Sequence, residues 1–169
     1  MFKYLDLPSL VKLATSKNEP ALILVLDGIE DPHNLGAILR TVEASGVDGV
    51  VLRKRRQVQV NETVLRVSTG AAQKVAVARV PNIAEALTFL KNEGIVVIGL
   101  EIDGKKLYNE IDLMRPVALV IGSEGSGLAR LVKERCDEVV RIPMRGEINS
   151  LNASVATGVI LFETLRQRR

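Results

Sequence analysis

Three polar stretches of the sequence carry residues that could do chemistry. The first, Asp27-Gly-Ile-Glu-Asp-Pro-His-Asn-Leu-Gly-Ala-Ile-Leu-Arg40, places Asn34 six residues before Arg40. The second, Val120-Ile-Gly-Ser-Glu-Gly-Ser-Gly-Leu128, sets Glu124 among three glycines. The third runs from Ile142-Pro-Met144 to Ser150-Leu-Asn152-Ala-Ser154 and crowds hydroxyls and amides. Amides, hydroxyls, a carboxylate and a guanidinium orient hydroxyls and phosphates and stabilise charge. Nucleophilic catalysis of the Ser–His or Cys–His kind would depend on His33, the only histidine. With one histidine and one cysteine (Cys136), a zinc site of ordinary ligand set cannot be assembled in one chain, and no metal is expected.

Each stretch also has a plainer reading. At 100° per residue, helical positions 34 and 40 lie about 120° apart, so an ion pair of Arg40 with Asp31 or Glu43 is the alternative to a site role. The glycine spacing GxxGxG is neither a dinucleotide fingerprint nor a phosphate loop. A carboxylate at a helix start would repel phosphate, so Glu124 would orient an arginine, a hydroxyl or a cationic ligand, or cap its own helix. Ser150 or Asn152 as a helix N-cap explains one polar residue of the third stretch, not four.

The elements that must position these residues alternate. Ala21–Leu26 is a continuous apolar run, as in a parallel strand buried on both faces. Asn34 as N-cap, Leu35, Ile38, Leu39 and Val42 at helical spacing, and Gly46 as terminator predict a helix. Strands are expected at 49–52, 75–80, 95–100, 117–121 and 139–142. Helices are expected at 62–68, at 82–92 behind an Asn82/Glu85 capping box, from Ser126 or Gly127 to about 135, and from about 152 to 165. This is an open, mostly parallel α/β sheet flanked by helices, in which ligands bind at the carboxyl ends of strands. The three stretches follow such ends.

At roughly 150 residues per domain, 169 residues make one domain. Its apolar runs fall short of the ~20 residues of a membrane helix, and the lone cysteine and absent signal-like start point to the cytoplasm. Residues 1–50 carry 4 basic and 7 acidic side chains, residues 51–80 carry 7 and 1, and the rest 12 and 12. The basic island centres on Arg53-Lys54-Arg55-Arg56, and Arg166-Gln-Arg-Arg169 forms a second cluster. Nucleic acid is the natural partner, met through phosphate and shape because aromatics are only 3% of residues; a solvated loop is the alternative.

Taken together and in this order, Asn34-x-Gly36-x3-Arg40, Ile121-Gly-Ser-Glu124-Gly-x-Gly-Leu and Ile142-Pro-Met-x5-Ser150-Leu-Asn-Ala-Ser154 resemble the three motifs of the SpoU (TrmH-like) RNA ribose methyltransferases of the SPOUT superfamily. The resemblance implies a deep trefoil knot near the C-terminus, which topology rules alone would not suggest. It also implies S-adenosylmethionine as cofactor and a homodimer. Asp27–Asn34, Val67-Ser-Thr-Gly-Ala-Ala72 and Glu134-x-Cys-Asp-Glu138 look most like enzymes that methylate a guanosine of 23S rRNA. Residues 1–20 look like the linker that follows an RNA-binding domain in those enzymes, ahead of a catalytic domain at 21–169; the chain is expected to be a short member or that domain alone.

By the same resemblance, Arg40 serves the ribose 2′-hydroxyl or a neighbouring phosphate, Glu124 holds Arg40, and Asn34, Ser150 and Asn152 position sugar or phosphate. Leu100, Gly122, Ile142, Met144 and Leu151 offer the cofactor backbone and apolar surface, and a side chain at position 122 would fill space it needs. The small residues Ala153, Ser154, Ala156, Thr157 and Gly158 fit close intramolecular packing or a subunit interface. A tRNA substrate, a non-catalytic RNA-binding module and a dinucleotide-dependent oxidoreductase are the competing readings. The last lacks its glycine fingerprint after the first strand.

Overall fold

The computed structural model describes residues 2–169. Six residues of β1 (Leu22–Asp27) are all buried, because parallel neighbours and helices cover both faces. In chain order there follow α2 (Pro32–Ser45), β2 (Gly49–Arg53), α3 (Glu62–Val67), β3 (Val77–Val80), α4 (Ile83–Asn92) and β4 (Val96–Leu100). Then come β5 (Lys106–Leu107), β6 (Val117–Gly122), α5 (Arg130–Arg135), β7 (Glu138–Arg141) and α6 (Ala153–Arg168), with α1 (Leu7–Thr15) preceding them all. The seven strands pair in parallel in the order β3-β2-β1-β6-β4-β7-β5.

Strand alternation sorts the core into two layers. Leu22, Leu24 and Leu26 of β1 face α2, α3 and α6. Ile23 and Val25 face α1, α4 and α5. Because β1, β6, β4 and β7 are neighbours, the segments leaving their carboxyl ends meet on one edge of the molecule.

Local chemistry shifts several expected boundaries. Asp31, not Asn34, caps α2: its Oδ1 accepts the His33 N–H at 2.9 Å, and Pro32 opens the helix. That places Asn34 inside the first turn. Gly46 ends the helix at φ 78°, as its position predicts. Asn82 accepts the Glu85 N–H at 2.9 Å, forming one half of the expected capping box. The expected helix from Ser126 or Gly127 starts only at Arg130, because the glycines fold into a turn of their own.

Within residues 2–20, expected as a linker, part of the chain is packed against the domain. Leu5 bridges Ala78 beside β3, and Leu7, Leu10, Val11 and Ala14 bury one face of α1. The C-terminal arginines are also largely structural. Arg168 donates to the carbonyls of Pro20, Leu113 and Arg115 at 2.7–2.9 Å, and burial lowers its pKa. Arg166 forms a two-point pair with Glu163 at 2.7 and 2.9 Å. The tail is therefore not the free cationic cluster that its sequence suggests. No helix among the described residues is long and apolar enough to cross a membrane.

Candidate active site

The turn after β6 is built by its glycines. The Gly127 N–H bonds the Ser123 carbonyl at 2.8 Å, and Gly127 sits at φ 66°. A Cβ at Gly122 would lie 2.3 Å from the Gly127 carbonyl carbon and 2.5 Å from the Leu128 nitrogen. Gly122 is therefore needed for closure of the turn itself, a nearer constraint than the expected space for a ligand.

Two carboxylates fasten the exit of this turn. Glu101, immediately after β4, accepts the Leu128 N–H at 2.5 Å through Oε1. Asp27, the last residue of β1 and 5% exposed, accepts the Ala129 N–H at 2.9 Å through Oδ2.

Beside the turn lies a cleft of about 300 Å³, at the lower end of small-ligand sites. Its walls include Leu100, Gly122, Ile142, Met144 and Leu151, the five residues expected to hold a cofactor. Ser150 and Glu124 of the expected acceptor side also line it. Sequence reasoning missed Glu101, Ser123, Asn149 and Ala156 in the lining. An acidic residue directly after a buried parallel strand was the available signal for Glu101 and also for Asp27.

Glu124 joins the three polar stretches. Its Oε1 accepts Asn34 Nδ2 at 2.5 Å and Asn152 Nδ2 at 3.1 Å, and lies 3.5 Å from the Ala153 N–H in the first turn of α6. Asn152 also caps α6, its Oδ1 receiving the Ser154 N–H at 2.9 Å and the Ser154 hydroxyl at 2.5 Å. Ser150 is exposed on the rim and makes no hydrogen bond among the described residues.

Arg40 stands apart from this cluster. It is exposed on α2 and has no ion pair or side-chain hydrogen bond among the described residues, so Glu124 does not hold it here. Neither Asp31 nor Glu43 pairs with it; Asp31 lies 3.5 Å from His33 Nδ1 instead.

The basic island divides as well. Lys54, Arg55 and Arg56 are exposed, whereas Arg53 turns inward. Its Nη1 lies 3.7 Å from Asp27 Oδ1, and its Nη2 donates to the Arg56 carbonyl at 3.1 Å. Of the four cations expected to meet RNA, Arg53 is thus taken by the fold. Gln57 Oε1 accepts the Ile29 N–H at 2.9 Å and ties the loop to the segment after β1.

Known proteins resemble this chain in sequence and architecture. The model of the SpoU rRNA Methylase family matches residues 21–162. A Staphylococcus saprophyticus protein assigned to the TrmH family of tRNA/rRNA methyltransferases is 47% identical over 167 residues, covering 99% of this chain and 67% of that protein. The SpoU methyltransferase AviRb from Streptomyces viridochromogenes, crystallised with AdoMet, superposes with a TM-score of 0.84 at 30% identity, over 91% of this chain and 60% of that one. The crystal structure of the A. aeolicus TrmH/SpoU tRNA modifying enzyme gives a TM-score of 0.81 at 30% identity, over 95% of this chain and 81% of the other.

Proposed function

Since the chain belongs to the SpoU rRNA methylase family of S-adenosylmethionine-dependent RNA methyltransferases, we propose that it methylates a ribose 2′-hydroxyl of RNA, with a guanosine of 23S rRNA as its substrate. The observation that carries this reading is the single Glu124 oxygen that gathers Asn34 and Asn152 beside the cleft. Residues from three segments far apart in sequence are thereby organised around one point, which a cap or a solvated loop would not require.

The cleft suits the cofactor by charge. Its only ionisable lining residues are Glu101 and Glu124, and no lysine, arginine or histidine lines it. Such walls attract a sulfonium and repel a dinucleotide's diphosphate, which argues against the oxidoreductase reading. In this proposal Leu100, Gly122, Ile142, Met144 and Leu151 hold the adenosine by backbone groups and apolar contact. The bound cofactor supplies an activated methyl group.

The chain must align the hydroxyl opposite the sulfur–methyl bond and balance charge there. Asn34, Asn152 and Ser150 are placed to orient the sugar. Arg40, exposed and unpaired among the described residues, is free to meet the hydroxyl or a phosphate. Its guanidinium stays protonated, so orientation and charge stabilisation are its chemistry, not proton removal.

The same reading includes a C-terminal knot, a homodimer and a cytoplasmic location. The knot is supported by β6 lying between β1 and β4, and by α6 returning from β7 to pack on α2. The homodimer is supported by Val155, Phe162 and Leu165 on α6, exposed by 52%, 47% and 40%.

The test is to add enzyme and S-adenosylmethionine to unmodified ribosomal and transfer RNA and map the 2′-O-methyl sites. A modified guanosine in 23S rRNA is expected, and Arg40→Ala should abolish it with cofactor affinity unchanged. Modification of transfer RNA alone would replace the substrate, and cofactor binding without transfer to either RNA would overturn the catalytic reading.

A further inference from the structure

The two carboxylates that fasten the glycine turn come from the strands on either side of β6. Gly122 pairs in register with Asp27 of β1, and Ile121 with Leu100 of β4, which Glu101 follows. Asp27 and Glu101 therefore hold consecutive amides, those of Ala129 and Leu128. Their surroundings differ. Asp27 is 5% exposed, does not line the cleft, and has Arg53 at 3.7 Å from its other oxygen.

Glu101 lines the cleft, and its Oε2 accepts no hydrogen bond among the described residues. The neighbouring cation Lys133 is held by Asp103 at 2.6 Å. The other acid of the lining, Glu124, already receives Asn34 and Asn152.

Holding one amide does not require a charge. Elsewhere in this chain Gln57 does it for the Ile29 N–H at 2.9 Å, through a neutral oxygen. The charge on Glu101 thus exceeds what the turn needs, and it sits in the wall of the cleft.

We infer that Glu101 is a specificity-determining residue that favours the sulfonium cofactor S-adenosylmethionine over its neutral thioether product, S-adenosylhomocysteine. The inference rests on the proposed function. In the transfer, the sulfur–methyl bond would break with its electron pair passing to sulfur, a carbon–oxygen bond would form at the ribose, and the hydroxyl proton would pass to solvent water. The cofactor loses one positive charge, so attraction to Glu101 ends and the product is released more readily. Adenine, ribose and the amino-acid end are common to both molecules, so the ratio of their affinities isolates the sulfonium. A unit charge pair a few ångströms apart in a solvent-open cleft is worth about five- to tenfold in that ratio.

The test is calorimetric titration of both ligands into the unaltered protein, Glu101→Gln and Asp27→Asn. Glu101→Gln keeps an oxygen for the Leu128 N–H and removes only the charge. Its preference for S-adenosylmethionine should fall about five- to tenfold, with S-adenosylhomocysteine bound as before or more tightly. Asp27→Asn, which removes the charge outside the cleft, should leave the ratio alone.

Raising salt from about 50 to about 500 mM should lower the ratio in the unaltered protein, a reading that needs no variant to fold. A Glu101→Gln ratio equal to the original, or a salt-independent ratio, would overturn the inference while leaving the proposed function standing. Failure of the unaltered protein to bind either ligand would overturn the proposed function and the inference with it.

Discussion

Gly122→Ala is the smallest change that tests how the cleft is built. Its Cβ would sit 2.3 Å from the carbonyl carbon of Gly127, 2.4 Å from that carbonyl's oxygen and 2.5 Å from the nitrogen of Leu128. Ordinary carbon contacts lie near 3.5–4.0 Å, so the overlap exceeds about 1 Å, and every opposing atom is backbone. That backbone cannot simply retreat: the Ser123–Gly127 bond and the Glu101 and Asp27 carboxylates all hold it.

Relief requires opening at least one of these bonds, about 0.5–1.5 kcal/mol, in addition to about 1–3 kcal/mol for overpacking. The sum is about 1.5–4.5 kcal/mol, and at about 2–4 °C per kcal/mol for a chain of this size melting should fall by roughly 3–18 °C. S-adenosylmethionine affinity should fall more than about tenfold, because the displaced turn is a wall of the cleft. Gly125 is the matched control: a Cβ there meets nothing within 4 Å, so Gly125→Ala should leave melting unchanged. Calorimetry and thermal melting of both variants decide the matter. A Gly122→Ala protein that melts and binds like the original, or an equal loss of melting temperature in Gly125→Ala, would refute the close-packed turn.

Three further outcomes are expected. Replacing Lys54, Arg55 and Arg56 by Ala should reduce the log–log salt slope of RNA binding by about 2–3, at 0.7–0.9 per phosphate contact; equal slopes in a fluorescence titration would remove the loop as an RNA contact. Arg53 is left out because its pairing with Asp27 would confound binding with stability. Phe162→Glu, on the exposed stripe of α6, should give the 18.4 kDa monomer mass in light scattering where the unaltered chain gives twice that; Ala156 is unsuitable because it lines the cleft. Glu138, paired with Lys106 at 2.9 Å and Arg115 at 2.7 Å, has its pKa held below 4.5, chiefly by Lys106. A lowered folded-state pKa adds stability above 4.5 that is lost as pH falls through the lower folded value, so Glu138→Gln should melt below the original at neutral pH and converge with it in acid.

How far the sequence discloses the molecule depends on whether a feature is local. The all-apolar run of β1, the terminator Gly46 and the cap Asn82 are each decided within a few residues, and each stands where its chemistry predicts. The pattern Leu7, Leu10, Val11, Ala14 is equally local and spells the amphipathic helix α1. Pairings across the sheet are a different matter. Glu124 reaches Asn34 because β6, sixth in the chain, lies beside β1, a neighbour that sequence order cannot supply. Charge counts have the same blind spot: Arg53 and Arg168 read as surface cations until the fold places a carboxylate beside one and three near carbonyls around the other.

The separation of charge that results bears on how RNA would be received. The cleft presents Glu101 and Glu124 without a cation, while Lys54, Arg55 and Arg56 stand on a neighbouring loop tied to the segment after β1. A phosphate chain is repelled by the first and attracted by the second, so an RNA strand that settles on the loop keeps its phosphates away from the cleft. The part of a nucleotide that can approach the acidic rim without penalty is an uncharged one, and a ribose hydroxyl qualifies. Arg40, exposed on α2, and Arg145, exposed next to the lining residue Met144, have no side-chain partner among the described residues and are free to meet a phosphate or hydroxyl. Placing a second carboxylate on α2 by Ala37→Glu, one turn before Arg40, should therefore weaken RNA binding and leave S-adenosylmethionine affinity unchanged; unaltered RNA affinity would show that the strand does not cross this helix.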